Sequence, residues 1–128
     1  MKRSNFDLTE AIIALAEQNQ PFQIHVDVEF PILSLQSSYQ LYCIVQESLT
    51  NIQKHAQADR VTITGSIISN GTMLEICDNG KGFSLARPHA GFGLRNMKER
   101  VQCLGGNFDL DSEIDRGTQI KIFVPASS

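Results

Sequence analysis

The sequence predicts an α+β fold, a two-layer α/β sandwich in which about three helices cover one face of a mixed five-stranded sheet. Three observations lead there. Five short segments alternate apolar and polar residues, the period of a half-buried strand. Three longer segments repeat apolar residues at helical spacing. Their order along the chain is helix, strand, helix, strand, strand, loop, helix, strand, strand. Helices and strands do not alternate strictly, which argues against a doubly wound parallel sheet.

The first helix is expected over 7–19, where Leu8, Ala11, Ile12, Leu15 and Ala16 share a face. Either Asp7 or Thr9 caps it, Glu10 lies in its first turn, and Pro21 closes it. Over 22–30, Phe22, Ile24, Val26, Val28 and Phe30 face one way and Gln23, His25, Asp27 and Glu29 the other. That is a strand with one buried face, ended by Pro31. A long second helix is expected over 36–56, entered through Ser37 or Ser38. Two strands follow over 60–68 and 72–77, joined by Ser69-Asn70-Gly71, and Asn-Gly is a strong hairpin signal. Residues 78–93 form a glycine-rich loop. A third helix over 94–104 turns Leu94, Met97, Val101 and Leu104 inward, and Gly105-Gly106 stops it as a left-handed C-cap does. The last two strands are expected over 108–110 and 119–124.

The chain has 128 residues, one domain by length, and 41% of them are apolar. A chain of this size buries roughly two thirds of its unfolded surface, enough for a real core. The net charge is −3 and no Lys/Arg run occurs; Glu99 interrupts the cluster of Arg95, Lys98 and Arg100. Nucleic-acid binders draw most of their affinity from neutralising phosphates, so nucleic acid is not an expected partner. No apolar stretch reaches the about 20 residues of a membrane span, so no membrane contact is expected of this domain. Cys43, Cys77 and Cys103 are odd in number, form no CxxC and sit among apolar neighbours. That favours small hydrophobic side chains in a reducing, cytoplasmic setting over a disulfide scaffold.

The second helix carries the first chemical signal. At about 100° per residue, Glu47, Asn51, Lys54 and His55 fall on one stripe, opposite Leu41, Val45, Leu49, Ile52 and Ala56. The polar stripe fits a solvated face with a charge pair. It also fits a binding face, because Asn is a mediocre residue inside a helix and its oxygen is the hard donor that Mg²⁺ prefers. Two loops carry the second signal. Asp78-Asn79-Gly80-Lys81-Gly82 follows a strand directly; its glycines permit close approach of backbone to a ligand. A half-buried Asp78 would need a donor such as the exocyclic amine of a purine. Gly91-Phe92-Gly93-Leu94 opens the third helix, where free N–H groups favour an anion, although an ordinary turn reads the same way. Neither a Walker A sequence nor a dinucleotide fingerprint is present. Thr118, at the start of the last strand, either reaches a ligand or satisfies local backbone.

Taken together, three segments resemble one family. Residues 46–56, Gln46-Glu47-Ser48-Leu49-Thr50-Asn51-Ile52-Gln53-Lys54-His55-Ala56, resemble the N box of the GHKL ATPases, the superfamily of gyrase, the heat-shock chaperone, histidine kinases and MutL repair proteins. Asp78 to Phe83 resemble its first glycine box, and Gly91 to Val101 with Gly105-Gly106 and Gly117-Thr118 its second. The details are closest to sensor histidine kinases of the nitrate-sensor-like group, which pair with response regulators carrying a LuxR-type DNA-binding domain. Each box alone is weak; three in order over residues 41–125 are specific.

The resemblance implies the Bergerat-type ATP-binding fold, with ATP and Mg²⁺ as cofactors. It implies that Asp78 accepts from the adenine amine, that Gly80, Gly82 and Phe83 shape the base pocket, and that Asn51 holds Mg²⁺. Lys54 would meet a phosphate, with His55 beside it, while Gly91, Gly93 and the N–H of Leu94 cradle the phosphates. Thr118 would support Asp78 or a water by the base. Glu47, four residues before Asn51, would polarise the nucleophile or assist the metal, which makes Glu47, Asn51 and Lys54 the catalytic set. His55 is not expected to be the phosphoacceptor, because such kinases carry that histidine on a separate dimerisation helix pair, which does not precede residue 7. His25 and His89 are expected on an exposed strand and in the short lid of 83–90, where Arg87 is a further phosphate contact. The parent would be a homodimeric kinase, with or without a membrane anchor, and the 128 residues one domain of it that binds ATP without phosphorylating itself. A serine kinase of the anti-sigma type and a non-catalytic nucleotide-binding module are the alternatives.

Overall fold

The computed structural model describes residues 7–18, 21–82 and 93–126. Helix α1 is Leu8–Ala16. Asp7, not Thr9, caps it, accepting from the Glu10 N–H at 3.2 Å. Strand β1 is Gln23–Val28, with Ile24, Val26 and Val28 half-buried and the residues between them exposed. Helix α2 is Leu35–Asn51. Its cap is Ser34, whose hydroxyl accepts from the Ser37 N–H at 3.0 Å. Neither Ser37 nor Ser38 does this work, and Ser38 is buried.

The expected long helix does not continue unchanged past Asn51. Ile52–Ala56 form a π-helical turn, and Gln57 then leaves it in the left-handed conformation, with φ 52°. Such turns are rare and gather at functional sites.

Strands β2 (Arg60–Ile68) and β3 (Gly71–Asp78) form the expected hairpin, with Ile68 opposite Gly71 across Ser69 and Asn70. Helix α3 is Leu94–Cys103. It ends as expected: Gly105 has φ 73°, its N–H reaches the Gln102 carbonyl at 2.9 Å, and the Gly106 N–H reaches the Val101 carbonyl at 3.0 Å. This pair of hydrogen bonds closes the last turn of the helix. Strands β4 (Asn107–Glu113) and β5 (Gly117–Pro125) run longer than their apolar residues alone suggest.

The sheet order is β1-β2-β3-β5-β4. Only β1 and β2 pair in parallel, and α2 supplies the long crossover that parallel pairing needs. All other neighbours are antiparallel. Register places Val61, Asp78, Thr118 and Ser112 in one row across the sheet, and Ile63, Ile76, Ile120 and Leu110 in the next. These alternate positions face the helices. Leu41, Ile44, Val45 and Leu49 of α2 and Met97 and Val101 of α3 bury their side chains in the same core. Each such side chain contributes about 1.5–3 kcal/mol on leaving water. The fold therefore ends its apolar rows at a polar row, and that polar row lies where α2 turns π-helical and α3 begins. The cysteines are free, but only Cys43 and Cys77 are half-buried; Cys103 is exposed.

Candidate functional site

A cavity of about 210 Å³ opens at that junction, lined by Ser48, Asn51, Ile52, Lys54, His55, Ile76, Asp78, Lys81, Gly82, Leu94, Thr118 and Ile120. Its walls are apolar: Ile52 from the π-turn, Ile76 and Ile120 from the sheet, Leu94 from α3. One carboxylate, Asp78, lies among them. Lys54 and Lys81 are exposed.

Asp78 is held by its own loop. Its Oδ1 accepts from the Gly80 N–H at 2.8 Å. Burial raises the carboxyl above its ordinary value, and backbone hydrogen bonds from Gly80 and Thr118 oppose that rise. The loop is fastened on both sides. Asn79 Oδ1 accepts from the N–H groups of Asp59 and Arg60, each at 2.9 Å. The Lys81 carbonyl accepts from the Asp115 N–H at 2.6 Å. Gly82 has φ 59°, and a Cβ there would strike the Glu113 carbonyl. Gly117 is required for a similar reason, because a Cβ would strike the Asp78 carbonyl oxygen. The glycines thus let the loop after β3 lie flat against the β4–β5 turn.

Thr118 sits beside Asp78 in the register and shares its hydroxyl with Ser112, Oγ to Oγ1 at 2.8 Å. On the opposite wall, Ser48 Oγ donates to the Ile44 carbonyl at 2.8 Å and also contacts Met97 Sδ at 3.4 Å, tying α2 to α3. Gly93 starts α3 at φ 68° with no side-chain cap. A Cβ on Gly93 would collide with the carboxylate of Glu47.

Of the residues expected from the sequence, Asn51, Lys54, His55, Asp78, Gly82, Leu94 and Thr118 converge on the cavity. Gly80 acts behind it through its N–H. Glu47 and Gly93 stand together at the start of α3 and do not line it. Phe83, Arg87, His89 and Gly91 lie outside the described residues. Ser48, Ile52, Ile76, Lys81 and Ile120 were not expected. Ile76 and Ile120 had a signal, since they lie two residues from Asp78 and Thr118 on the same strand faces.

Residues 36–128 match the family described as histidine kinase-, DNA gyrase B-, and HSP90-like ATPase. The chain belongs to that family. It is 35% identical over 122 residues to the sensor histidine kinase LiaS of Bacillus subtilis (strain 168), covering 92% of this chain and 34% of LiaS. It is 35% identical over 128 residues to the signal transduction histidine-protein kinase/phosphatase DegS of the same organism, covering 94% of this chain and 33% of DegS. The chain thus spans about a third of the length of these curated relatives. The crystal structure of the ATP-binding domain of PrrB from Mycobacterium tuberculosis superposes with a TM-score of 0.75 at 23% identity, covering 94% of this chain and 92% of that one. The α+β sandwich expected from the sequence is therefore the fold observed, and it is that of histidine kinase ATP-binding domains.

Proposed function

We propose that this chain is the catalytic domain of a two-component sensor histidine kinase, binding ATP with Mg²⁺ and donating the γ-phosphate to a histidine on a separate dimerisation domain, from which a response regulator with a LuxR-type DNA-binding domain takes it. The observation that carries this reading is one half-buried carboxylate, Asp78, set among the apolar walls of Ile52, Ile76, Leu94 and Ile120 in a cavity with Asn51, Lys54 and Lys81 on its lining. A purine is flat and apolar on its faces and offers an amine at its edge. The cavity is smaller than the roughly 300–1,000 Å³ of pockets that enclose whole ligands. It fits the base, with the phosphates outside among Lys54, Lys81 and the start of α3.

The residues present also fit the metal. Asn51 offers an amide oxygen at the cavity, and Mg²⁺ usually takes one or two protein ligands together with substrate phosphates. Bound there, Mg²⁺ would neutralise charge on the phosphates. Asp78 holds the base by its amine; Lys54 and Lys81 hold the phosphate end by charge. The start of α3, with Leu94 at N1, directs N–H groups at an anion, and the helix dipole favours it there. His55 lines the cavity along with Lys54 and serves binding rather than phosphate acceptance. Glu47 lies against Gly93 rather than in the cavity, so its role is at the phosphate end. The domain works on the cytoplasmic side of a homodimeric parent, and among the described residues no helix is long and apolar enough to cross a membrane.

The test is calorimetric titration of ATP, with and without Mg²⁺, into wild type and Asp78→Asn. Binding that depends on Asp78 and strengthens with Mg²⁺ is expected. Absence of binding at millimolar ATP would overturn the reading.

A further inference from the structure

We propose that Ser112 is a positioning residue that selects the base, by fixing the Thr118 hydroxyl as a hydrogen-bond acceptor toward the cavity; this rests on the nucleotide reading above. Ser112 belongs to none of the three sequence boxes. It comes from β4, the far edge of the sheet, and is 5% exposed. Register brings it opposite Thr118, which in turn lies opposite Asp78. Its Oγ lies 3.2 Å from the Gly117 carbonyl oxygen and 2.8 Å from Thr118 Oγ1.

Proton counting then decides the polarity. A serine hydroxyl has one proton to give. The Gly117 carbonyl can only accept. Both contacts are hydrogen bonds at once in one arrangement alone: Ser112 donates to the Gly117 carbonyl, and Thr118 donates to Ser112 Oγ. In the reverse arrangement Ser112 donates to Thr118, and the Gly117 contact holds no proton. Satisfying both spends the Thr118 proton on Ser112. What Thr118 then turns to the cavity is a lone pair.

The consequence is chemical. Asp78, ionised, accepts only, and Thr118 next to it accepts only. A C6 amine carries two hydrogens and can meet both acceptors, whereas a 6-oxopurine turns a carbonyl toward them and offers only its N1–H. Ser112 thereby adds to discrimination against 6-oxopurines without touching the ligand. A site built to meet a donor rejects its replacement because buried polar groups are left unpaired.

The experiment compares affinities for ATP and inosine triphosphate, which has a carbonyl at C6, in wild type, Ser112→Ala, Ser112→Thr and Thr118→Val. Wild type should prefer ATP. Ser112→Ala frees the Thr118 proton, and the ATP-to-ITP preference should fall about fivefold, the worth of one ordinary hydrogen bond. Thr118→Val should lower the preference at least as far, and adding Ser112→Ala to it should change nothing more. Ser112→Thr keeps the hydroxyl and should restore the preference even if both affinities weaken. A Ser112→Ala variant that loses ATP and ITP affinity in equal proportion overturns the inference and leaves the nucleotide reading intact. A wild-type chain that binds neither nucleotide overturns both.

Discussion

The carboxylate of Glu47 occupies the space that a Cβ on Gly93 would need. Gly93 is also at φ 68°, where a side chain costs roughly 1–2 kcal/mol. Gly93→Ala is therefore strained mainly by its backbone, with a smaller part from displacing the flexible Glu47 carboxylate. Urea denaturation should show a loss of about 1–2 kcal/mol. Glu47→Ala in the same chain should recover the collision part while the backbone part remains. A double variant no more stable than Gly93→Ala would show that the two residues are independent.

The same junction shows what could be read from sequence. The polar and apolar stripes of α2 were legible because helical periodicity separates Asn51 from Leu49 and Val45 without tertiary information. The π-turn at Ile52–Ala56 was not, because a change of one residue per turn leaves too short a trace in five residues. The Ser34 cap was hidden among several serines, each able to cap. In the site, the box residues to which the resemblance gives a role were legible. Ser48, inside the N box but given no role by it, and Ser112, outside the boxes, were not, because their importance comes from what register and packing bring to them: Met97 in one case, Thr118 in the other. The ends of β4 and β5 were missed for a similar reason, since Asp111 and Glu113 look like loop residues until they pair with Gln119 and Gly117.

Asp78 makes stability depend on pH in a stated direction. Burial raises its folded value above the unfolded one. The folded chain thus holds this proton more tightly, and the associated stability is present at low pH and lost as pH rises through the folded value. Asp78→Asn cannot titrate. Melting temperatures of the two chains between pH 7 and pH 4 should diverge in favour of wild type as pH falls. A gap that stays constant would show that the hydrogen bonds from Gly80 and Thr118 cancel burial, and one that moves the other way that they outweigh it. The variant should lose about tenfold or more in ATP affinity at pH 7, since its amide NH₂ meets the base amine donor to donor.

Gln57, at φ 52° and ψ 42°, ends the π-turn in a conformation that favours glycine. Gln57→Gly removes roughly 1–2 kcal/mol of strain and adds about 0.5–1 kcal/mol of unfolded-state entropy. A net gain near 0.5–1 kcal/mol is expected from the urea midpoint. Asp115, at φ 69°, should gain less from the same change, because Asp tolerates this conformation better. Destabilisation by Gln57→Gly would mean that the glutamine side chain contributes more than its backbone costs.

Asn79 should matter for binding without touching ligand. Its Oδ1 takes two backbone N–H groups, from Asp59 and Arg60, and so fastens the loop carrying Asp78 and Gly80 to the start of β2. Asn79→Ala deletes both bonds. Water can reach these exposed N–H groups, so the cost should sit near 1–2 kcal/mol rather than the full penalty for orphaned donors. The Asn79 N–H keeps its 3.2 Å bond to the Arg60 carbonyl, so the strand pairing itself survives. What loosens is the loop, and ATP affinity should fall a few-fold because Asp78 is no longer held in place before the base arrives. Asn79→Asp has the same shape and keeps an acceptor at the same atom; it should preserve stability and affinity together. If Asn79→Asp weakens ATP binding as much as Asn79→Ala, the amide NH₂, not the latch, is the group that counts.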